Sequence, residues 1–316
     1  MPPDHPTDPT TPANPARMIA PGPGRRVLVV GDYMQDILVR PEGPSIPGAD
    51  RRAEIRITPG GSGANQAAWL AAEGVDVILV ARVGAGDLND VKNDLQAYGI
   101  TPQISADPHV PTGSIVSMIA PDGQRSFYTS RGANDRLSPS DLPPGLLDGA
   151  ALLLVSGYLL LTEPARGTLR GLIAEAVARG IPVAVDPGSA SFLQDIGPAE
   201  FLDMIAGASM LIPNTDEAGV LAASDDPAEQ SRVLAARFPL LIAKGGAGTA
   251  RLYAQGACIA AVEPQDVDVI DTTGAGDAFV AGFVAAWLGG EDGADCLARG
   301  HAVAARAVAR MGARPA

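Results

Sequence analysis

Residues 271–282 read Asp271-Thr272-Thr273-Gly274-Ala275-Gly276-Asp277-Ala278-Phe279-Val280-Ala281-Gly282. A short apolar run, Val267 to Ile270, precedes them, and an apolar helical pattern, Ala278 to Leu288, continues them. The layout predicts a strand, a tight turn and a helix. Such a turn sets the backbone N–H groups of Gly274, Ala275 and Gly276 at a helix N-terminus, where unsatisfied donors and the dipole together favour an anion. Asp277 falls in the first turn and faces the same anion. A carboxylate beside a phosphate repels it, so the arrangement needs a chemical purpose. Proton abstraction from a hydroxyl that attacks the phosphate is the most economical one.

Working outward, the chain alternates short apolar runs with helical patterns. Arg26 to Gly31 is an apolar run ended by glycine, as in the first buried strand of a parallel sheet. Gly60 to Ala72 is a glycine-rich turn entering a helix, Val75 to Val83 a further strand and Leu88 to Tyr98 a helix. From Leu152–Val155 the rhythm continues through helix 165–179, Val183–Asp186, helix 198–206, Met210–Ile212, helix 227–237 and Leu240–Ala243. Repeated strand–helix pairs imply a parallel sheet covered by helices on both faces. Two stretches break the pattern. Arg52 to Thr58 alternates polar and apolar residues, the mark of a strand solvated on one face, and Ser114 to Thr129 forms a hairpin about Pro121-Asp122-Gly123. Together they predict a small sheet outside the main one, a lid over the ligand cleft.

Composition narrows the function. The 316 residues carry a formal net charge of −13, which disfavours nucleic acid or an anionic membrane surface as partner. Lys92 and Lys244 are the only lysines, and no Gly-x-x-x-x-Gly-Lys-Ser/Thr loop occurs, so nucleotide phosphates must be handled without that lysine. Cys258 and Cys296 stand far apart, and with His5, His109 and His301 as the only histidines a zinc site is not expected. Residues 1–24, rich in Pro, Thr and Ala, predict a disordered tail with no signal-peptide pattern. No apolar run is long enough to span a membrane, and a cytoplasmic protein is the expectation.

The chain resembles the ribokinase-like carbohydrate kinases, the PfkB family, from about Val27 to Pro315. Two stretches carry the resemblance: Gly60-Gly61-Ser62-Gly63-Ala64-Asn65-Gln66-Ala67 and Asp271 to Gly282. Shorter fragments follow in the family's order, among them Gly31…Asp36, Gly132-Ala133-Asn134, Asp186-Pro187, Asn214-x-x-Glu217, Lys244-Gly245-x-x-Gly248 and Gly312-Ala313. The resemblance implies a three-layer α/β/α sandwich with a mostly parallel central sheet and a small β-sheet lid. The kinase domain would cover 25–316, with lid segments at about 37–58 and 111–131. It implies ATP and Mg2+, with Asp277 as general base and the Gly274, Ala275 and Gly276 amides stabilising the transferring phosphoryl group. Asp36, Gly61, Ser62, Asn65 and Asn134 would meet the substrate. Asn214, Glu217, Lys244, Gly245, Gly248 and Thr272 would lie along the nucleotide, with Glu217 reaching Mg2+ through water. His301 would either line the adenine pocket or pack. Asp271 and Thr273 match positions that hold a monovalent cation, so K+ is a further expectation.

Two positions depart from ribokinases. Met34 stands where they carry Asn, and Ser62 where they carry Lys. A site built for hydroxyls changes specificity when its polar contacts change. Met34 suits a ligand with an apolar portion, and Tyr158 either stacks on a base or fills core. A free sugar, ketose or sugar acid is the leading substrate class. A nucleoside on the same scaffold is the second, and a catalytically idle sugar binder the third. The exposed face of the small sheet also suggests a homodimer in which two lids meet.

Overall fold

The computed structural model describes residues 18–44, 48–119 and 125–316. Two sheets organise it. The strands in chain order are β1 (Arg26–Val30), β2 (Met34–Pro41), β3 (Ala53–Gly60), β4 (Asp76–Gly84), β5 (Thr101–Asp107), β6 (Thr112–Ile119) and β7 (Arg125–Gly132). They continue with β8 (Ala150–Ser156), β9 (Val183–Asp186), β10 (Met210–Leu211), β11 (Leu240–Ala243), β12 (Ala250–Ala254) and β13 (Ala257–Val262). The helices are α1 (Ser62–Ala72), α2 (Leu88–Ala97), α3 (Ala165–Ala178), α4 (Ala190–Ile196), α5 (Pro198–Met204), α6 (Thr215–Ala222), α7 (Pro227–Ala235), α8 (Ala275–Gly289) and α9 (Gly293–Val308).

The large sheet runs β13-β12-β11-β10-β9-β8-β1-β4-β5, parallel except where β12 and β13 pair antiparallel at one edge. Its strands are apolar on both faces because both are covered. Val27 and Val29 point into one core with α1, α2, α8 and α9, while Leu28 and Val30 point into the other with α3, α5, α6 and α7. The strand order reverses between β1 and β8. Chain after β1 builds outward through β4 and β5, and chain after β8 builds the other way, opening a crevice at the carboxyl ends where such sheets bind ligands.

The small sheet has order β3-β2-β6-β7. Its register sets Ile57, Ile37, Val116 and Tyr128 in one row and Ile55, Val39 and Met118 in the next, all on one face by the period of two. Asp36 lies on the opposite face. The small sheet, the expected lid, therefore uses 34–41 and 53–60 as well as 112–119 and 125–132, with β2 taking in Asp36 instead of beginning after it. Glu54 to Pro59 are exposed throughout, so β3 is not solvated on one face only; as a lid edge it has no core beneath it. The turn Pro121-Asp122-Gly123 lies outside the described residues.

Two further expectations change. Val267 to Ile270 is not a strand: β13 already closes that edge of the sheet, and Ile270 hangs by its amide from the Val308 carbonyl at 2.7 Å. The tail expected over 1–24 falls outside the described residues up to 17, and from residue 18 the chain is packed. Met18 and Ile19 pack against the core, the Trp287 indole donates to the Ile19 carbonyl at 2.9 Å, and Gly22 N–H donates to Ala151. Among the described residues no helix is long and apolar enough to cross a membrane.

Candidate active site

Gly274 caps α8 in the left-handed region, φ 75°, and a Cβ there would come within 2.6 Å of the Ala313 carbonyl oxygen. Only glycine makes this turn without strain. One donor of the expected three is spent, because Ala275 N–H closes the turn onto the Thr272 carbonyl at 3.2 Å. The Gly274 and Gly276 amides have no carbonyl partner among the described residues. Two of the three amides expected to meet an anion are therefore open, on exposed backbone at Gly276.

Asp277 projects from the first turn of α8 toward the N-terminus of α1. Ser62 Oγ donates to Asp277 Oδ1 at 2.6 Å, Gln66 Nε2 to the same oxygen at 3.2 Å, and Asn65 Nδ2 to Oδ2 at 3.1 Å. Burial pushes the carboxyl up to about 7 and the Asp186 charge adds to this, while the Ser62 and Asn65 bonds and Lys244 oppose it. A carboxyl tuned near neutrality suits proton abstraction at physiological pH. Helix α1 can come this close because Gly31 and Gly63 touch backbone to backbone; a Cβ on either would sit 2.5 Å from the other's Cα.

On the other side of Asp277, strand ends bring in the nucleotide-side residues. The Lys244 ammonium donates to Asp186 Oδ2 at 3.1 Å and lies 3.7 Å from where a Gly276 Cβ would be, against the α8 turn. Burial disfavours its charge, but Asp186 and Glu217 outweigh that, so Lys244 stays cationic. Asn214 bridges to Lys244 across the ends of β10 and β11 and caps α6. Both Glu217 oxygens are taken, Oε2 by Asn214 N–H at 2.8 Å and Oε1 by Asn214 Nδ2 at 2.7 Å. Burial pushes Glu217 up to about 7 against the pull of Lys244. Gly245 and Gly248 close a turn at 2.8 Å. A cavity of about 390 Å³ opens beside Lys244 between α6, α7 and β11, reaching Asn214 and Gly245 but not Asp277.

The substrate side is mixed. Asp36 is pushed up to about 6 by burial, and its Oδ1 is a buried acceptor with no donor among the described residues. Gly61 is buried, with φ 93°, and acts through the turn it makes against Asp32 and Met34. Asn134 is fully buried with its amide spent: Nδ2 donates to the Tyr33 and Arg131 carbonyls at 3.0 Å each, and Oδ1 accepts from Tyr33 N–H at 3.2 Å. It clamps the lid base and does not reach the cleft as a ligand group. Met34 is likewise wholly buried, against Asn134. Tyr158 donates to the Gly188 carbonyl at 2.9 Å, and Arg131 covers its ring at 5.2 Å.

Asp271 and Thr273 are held together, Thr273 N–H and Oγ1 both donating to Asp271 Oδ1 at 3.0 and 2.7 Å, while Gly312 N–H approaches Oδ2 at 3.3 Å. Thr272 is exposed beside the turn. His301 is buried, edge-on to Phe279 and with Nε2 3.1 Å from the Val262 carbonyl, so it takes the packing role of the two open to it. Among the described residues no group of three or more His, Cys, Asp or Glu is placed to hold a metal.

Four residues escaped the sequence reading. Gln66 also donates to Asp186 at 3.0 Å, so Asp186 joins α1 to Lys244. Asp32 receives the Gly63 amide at 3.0 Å and Arg131 Nη1 at 2.9 Å. Arg314 donates to Asn65 Oδ1 at 3.1 Å, which turns the Asn65 amide nitrogen toward Asp277. The motifs held signals for three of them, Gln66 inside the first stretch, Asp186 in Asp-Pro and Arg314 after Gly-Ala. Only the fold shows what they touch.

A nine-stranded sheet with a smaller separate sheet, an acid at a glycine-made helix N-terminus and a lysine alongside make up the candidate site of a phosphotransferase. The chain belongs to the pfkB family of carbohydrate kinases, whose profile it matches over residues 25–316. It is 29% identical over 302 residues to an ATP-dependent ribose-1-phosphate kinase of Halopiger xanaduensis, covering 92% of this chain and 94% of that one. To the ribokinase of Bacillus subtilis it is 28% identical over 297 residues, covering 92% and 95%. In fold it is similar to an adenosine kinase from Sinorhizobium meliloti, with a TM-score of 0.83, 23% identity and coverage of 92% and 96%.

Proposed function

We propose that the chain transfers the γ-phosphoryl group of ATP to a hydroxyl of a small sugar, ribose-like, a ketose or a sugar acid, with Asp277 as general base. Asp277 takes the hydroxyl proton as that oxygen attacks the γ-phosphorus, and the bond to the ADP oxygen breaks. The Gly274 and Gly276 amides and the Lys244 ammonium face the charge that gathers on the phosphoryl oxygens. Ser62, Asn65 and Gln66 orient the base, and Asp36 accepts from another sugar hydroxyl. Asn214, Gly245, Gly248 and Thr272 flank the nucleotide. Mg2+ would be held through water, since both Glu217 oxygens are already engaged, and when bound it neutralises phosphate charge. K+ beside Asp271 and Thr273 is part of the same proposal, tested by comparing turnover in KCl and in a large-cation salt. A protein consuming ATP in this way belongs in the cytoplasm.

The single observation behind this reading is Asp277, raised to about 7 and gripped by α1 at the open turn of α8. Two features that favoured a nucleoside are weakened, since Met34 is buried in the lid base and Arg131 lies over the Tyr158 ring, and the nucleoside is kept as the second reading. ADP release measured over a panel of sugars and nucleosides tests the assignment. Turnover with sugars is expected; turnover with nucleosides alone would reverse the order, and none despite ATP binding would leave an idle binder. The lid carries Ile55, Ile57 and Tyr128 at 60%, 65% and 65% exposure on one face, away from Asp36, which suits a homodimer of facing lids. Light scattering giving a monomer would remove that part.

A further inference from the structure

Arg131 is the next-to-last residue of β7, at the base of the small sheet, with a side chain only 9% exposed. Its Nη1 is held by Asp32 Oδ2 at 2.9 Å and its guanidinium lies 5.2 Å over the Tyr158 ring. Nε and Nη2 are buried and meet no acceptor among the described residues. Asp135 Oδ1, 3.8 Å from Nε, is too far to bond and is itself without a donor. Buried donors left in this state are uncommon and ask for an explanation.

The chemistry of the open edge is specific. Nε–H and Nη2–H lie parallel on one side of the planar guanidinium, at the spacing of two carboxylate or phosphate oxygens. Asp32 holds the other edge, so the fork is fixed and not free to turn. Asp32 in turn is anchored by Gly63 N–H at 3.0 Å and Ser156 Oγ at 3.3 Å. Arg131 thus stands between the residue two past the end of β1 and the residue two past the end of β8, in the crevice where the strand order reverses. The same crevice holds the donorless Oδ1 of Asp36, close enough to Asp32 to feel its charge. One group asks for a hydroxyl and the other for two acceptor oxygens. A neutral sugar hydroxyl would satisfy only one of the Arg131 donors.

We propose that the sugar taken by this site already carries an anionic group, a phosphate monoester or a carboxylate, which docks on the Nε/Nη2 edge of Arg131 while Asp36 receives one of its hydroxyls. This rests on the kinase reading above and narrows its substrate class. Asp277 and Arg131 then divide the labour: one activates the acceptor hydroxyl, and the other fixes the far end of the molecule. With a net charge of −13 the chain as a whole repels anions, so such selectivity must be local.

Matched pairs test it in the ADP-release assay with the full chain: ribose against ribose 1-phosphate and ribose 5-phosphate, fructose against its 1- and 6-phosphates, and glucose against gluconate. The anionic member of at least one pair should have the higher kcat/KM, and the pair that responds tells phosphate from carboxylate. Arg131→Lys keeps a charge opposite Asp32 but loses the fork. It should raise KM for the anionic sugar about 10–100-fold more than for its neutral counterpart, the size expected for charge-assisted hydrogen bonds. Equal use of neutral and anionic members, or an equal effect of the variant on both, overturns the proposal. Should Arg131→Lys fail to fold, Asp135→Asn removes the carboxylate nearest Nε and should lower KM selectively for the anionic sugar; no selective change overturns it. If no compound turns over, the kinase reading fails separately, and titration with inorganic phosphate decides the docking. Stabilisation of the wild type against heat, lost in Arg131→Lys, supports the fork, and no stabilisation of the wild type refutes it.

Discussion

The helix N-termini that meet at Asp277 are built in opposite ways. At α1 two of the backbone donors are already used: Gly63 N–H bonds the Asp32 carboxylate and Ala64 N–H the Asp32 carbonyl, each at 3.0 Å. What α1 presents to the cleft is side chains, Ser62, Asn65 and Gln66. At α8 the side chains are missing, Gly274 and Gly276 leave their amides open, and the only functional side chain is an acid. Both termini carry the same dipole. The terminus with Gly63 and Ala64 N–H spent internally is suited to positioning, and the one with Gly274 and Gly276 N–H open is suited to an anion. A residue of the same type at the two termini would have different work.

The sharpest way to break that contrast is Asp277→Asn. We expect ATP affinity to persist while kcat falls about 10²–10⁴-fold, the usual weight of a general base. Unchanged turnover would leave the α8 terminus as an anion cradle without a base. Next comes Gly274→Ala. Its positive φ and the Ala313 carbonyl 2.6 Å from a Cβ should displace one of the two open amides. A kcat loss of about 10²–10³-fold matches the removal of one such donor, with about 1–3 kcal/mol of destabilisation from backbone strain. Full activity in this variant would show that the turn is not the cradle.

A smaller effect, but one with a definite sign, lies in the pH profile. Asp277 must be ionised to act, so kcat/KM should fall as pH drops through about 7. Ser62→Ala removes a contact that favours the charged form and should move this midpoint up; Asp186→Asn removes a repelling charge and should move it down. Shifts in the same direction would refute the electrostatic account. Stability follows the same groups. Protonated Asp277, Glu217 and Asp36 stabilise the fold, fully below the ordinary carboxyl values near 4, and that contribution is lost as pH rises through about 6 to 7. The smallest expected change is in deletion of residues 1–22. Loss of the Met18 and Ile19 packing and of the Trp287 bond should cost about 1–3 kcal/mol of stability with little change in kcat. An unaltered melting temperature would mean these contacts contribute nothing.

Much of the fold was legible because its signals are local. Apolar runs of strand length such as Leu152–Val155 and Val183–Asp186, separated by helical periods, admit little but a covered parallel sheet. Misreadings came where a segment's environment lies outside the segment. Val267 to Ile270 has strand character but no free sheet edge to join. Helices α4 and α6, of seven and eight residues, are too short to show a helical period, although the Asn214 cap marks the start of α6. The outermost strand β13 lacks the alternation that marks half-buried strands, whereas β12 has it, buried at Ala250, Leu252 and Ala254, but over only five residues.

The amino-acid order by itself determined the α/β sheet, the glycine turn and the acid that follows it, since each depends on backbone freedom and periodicity within a few residues. Tertiary structure alone decided which polar groups face one another. Asn134, sought as a ligand contact, is consumed by Tyr33 and Arg131, and Arg314, far along the chain, sets the direction of the Asn65 amide. Hydrogen bonds and charge act over a few ångströms in space, and Arg314 and Asn65, joined here, stand 249 positions apart. No reading of neighbours along the chain could have paired them.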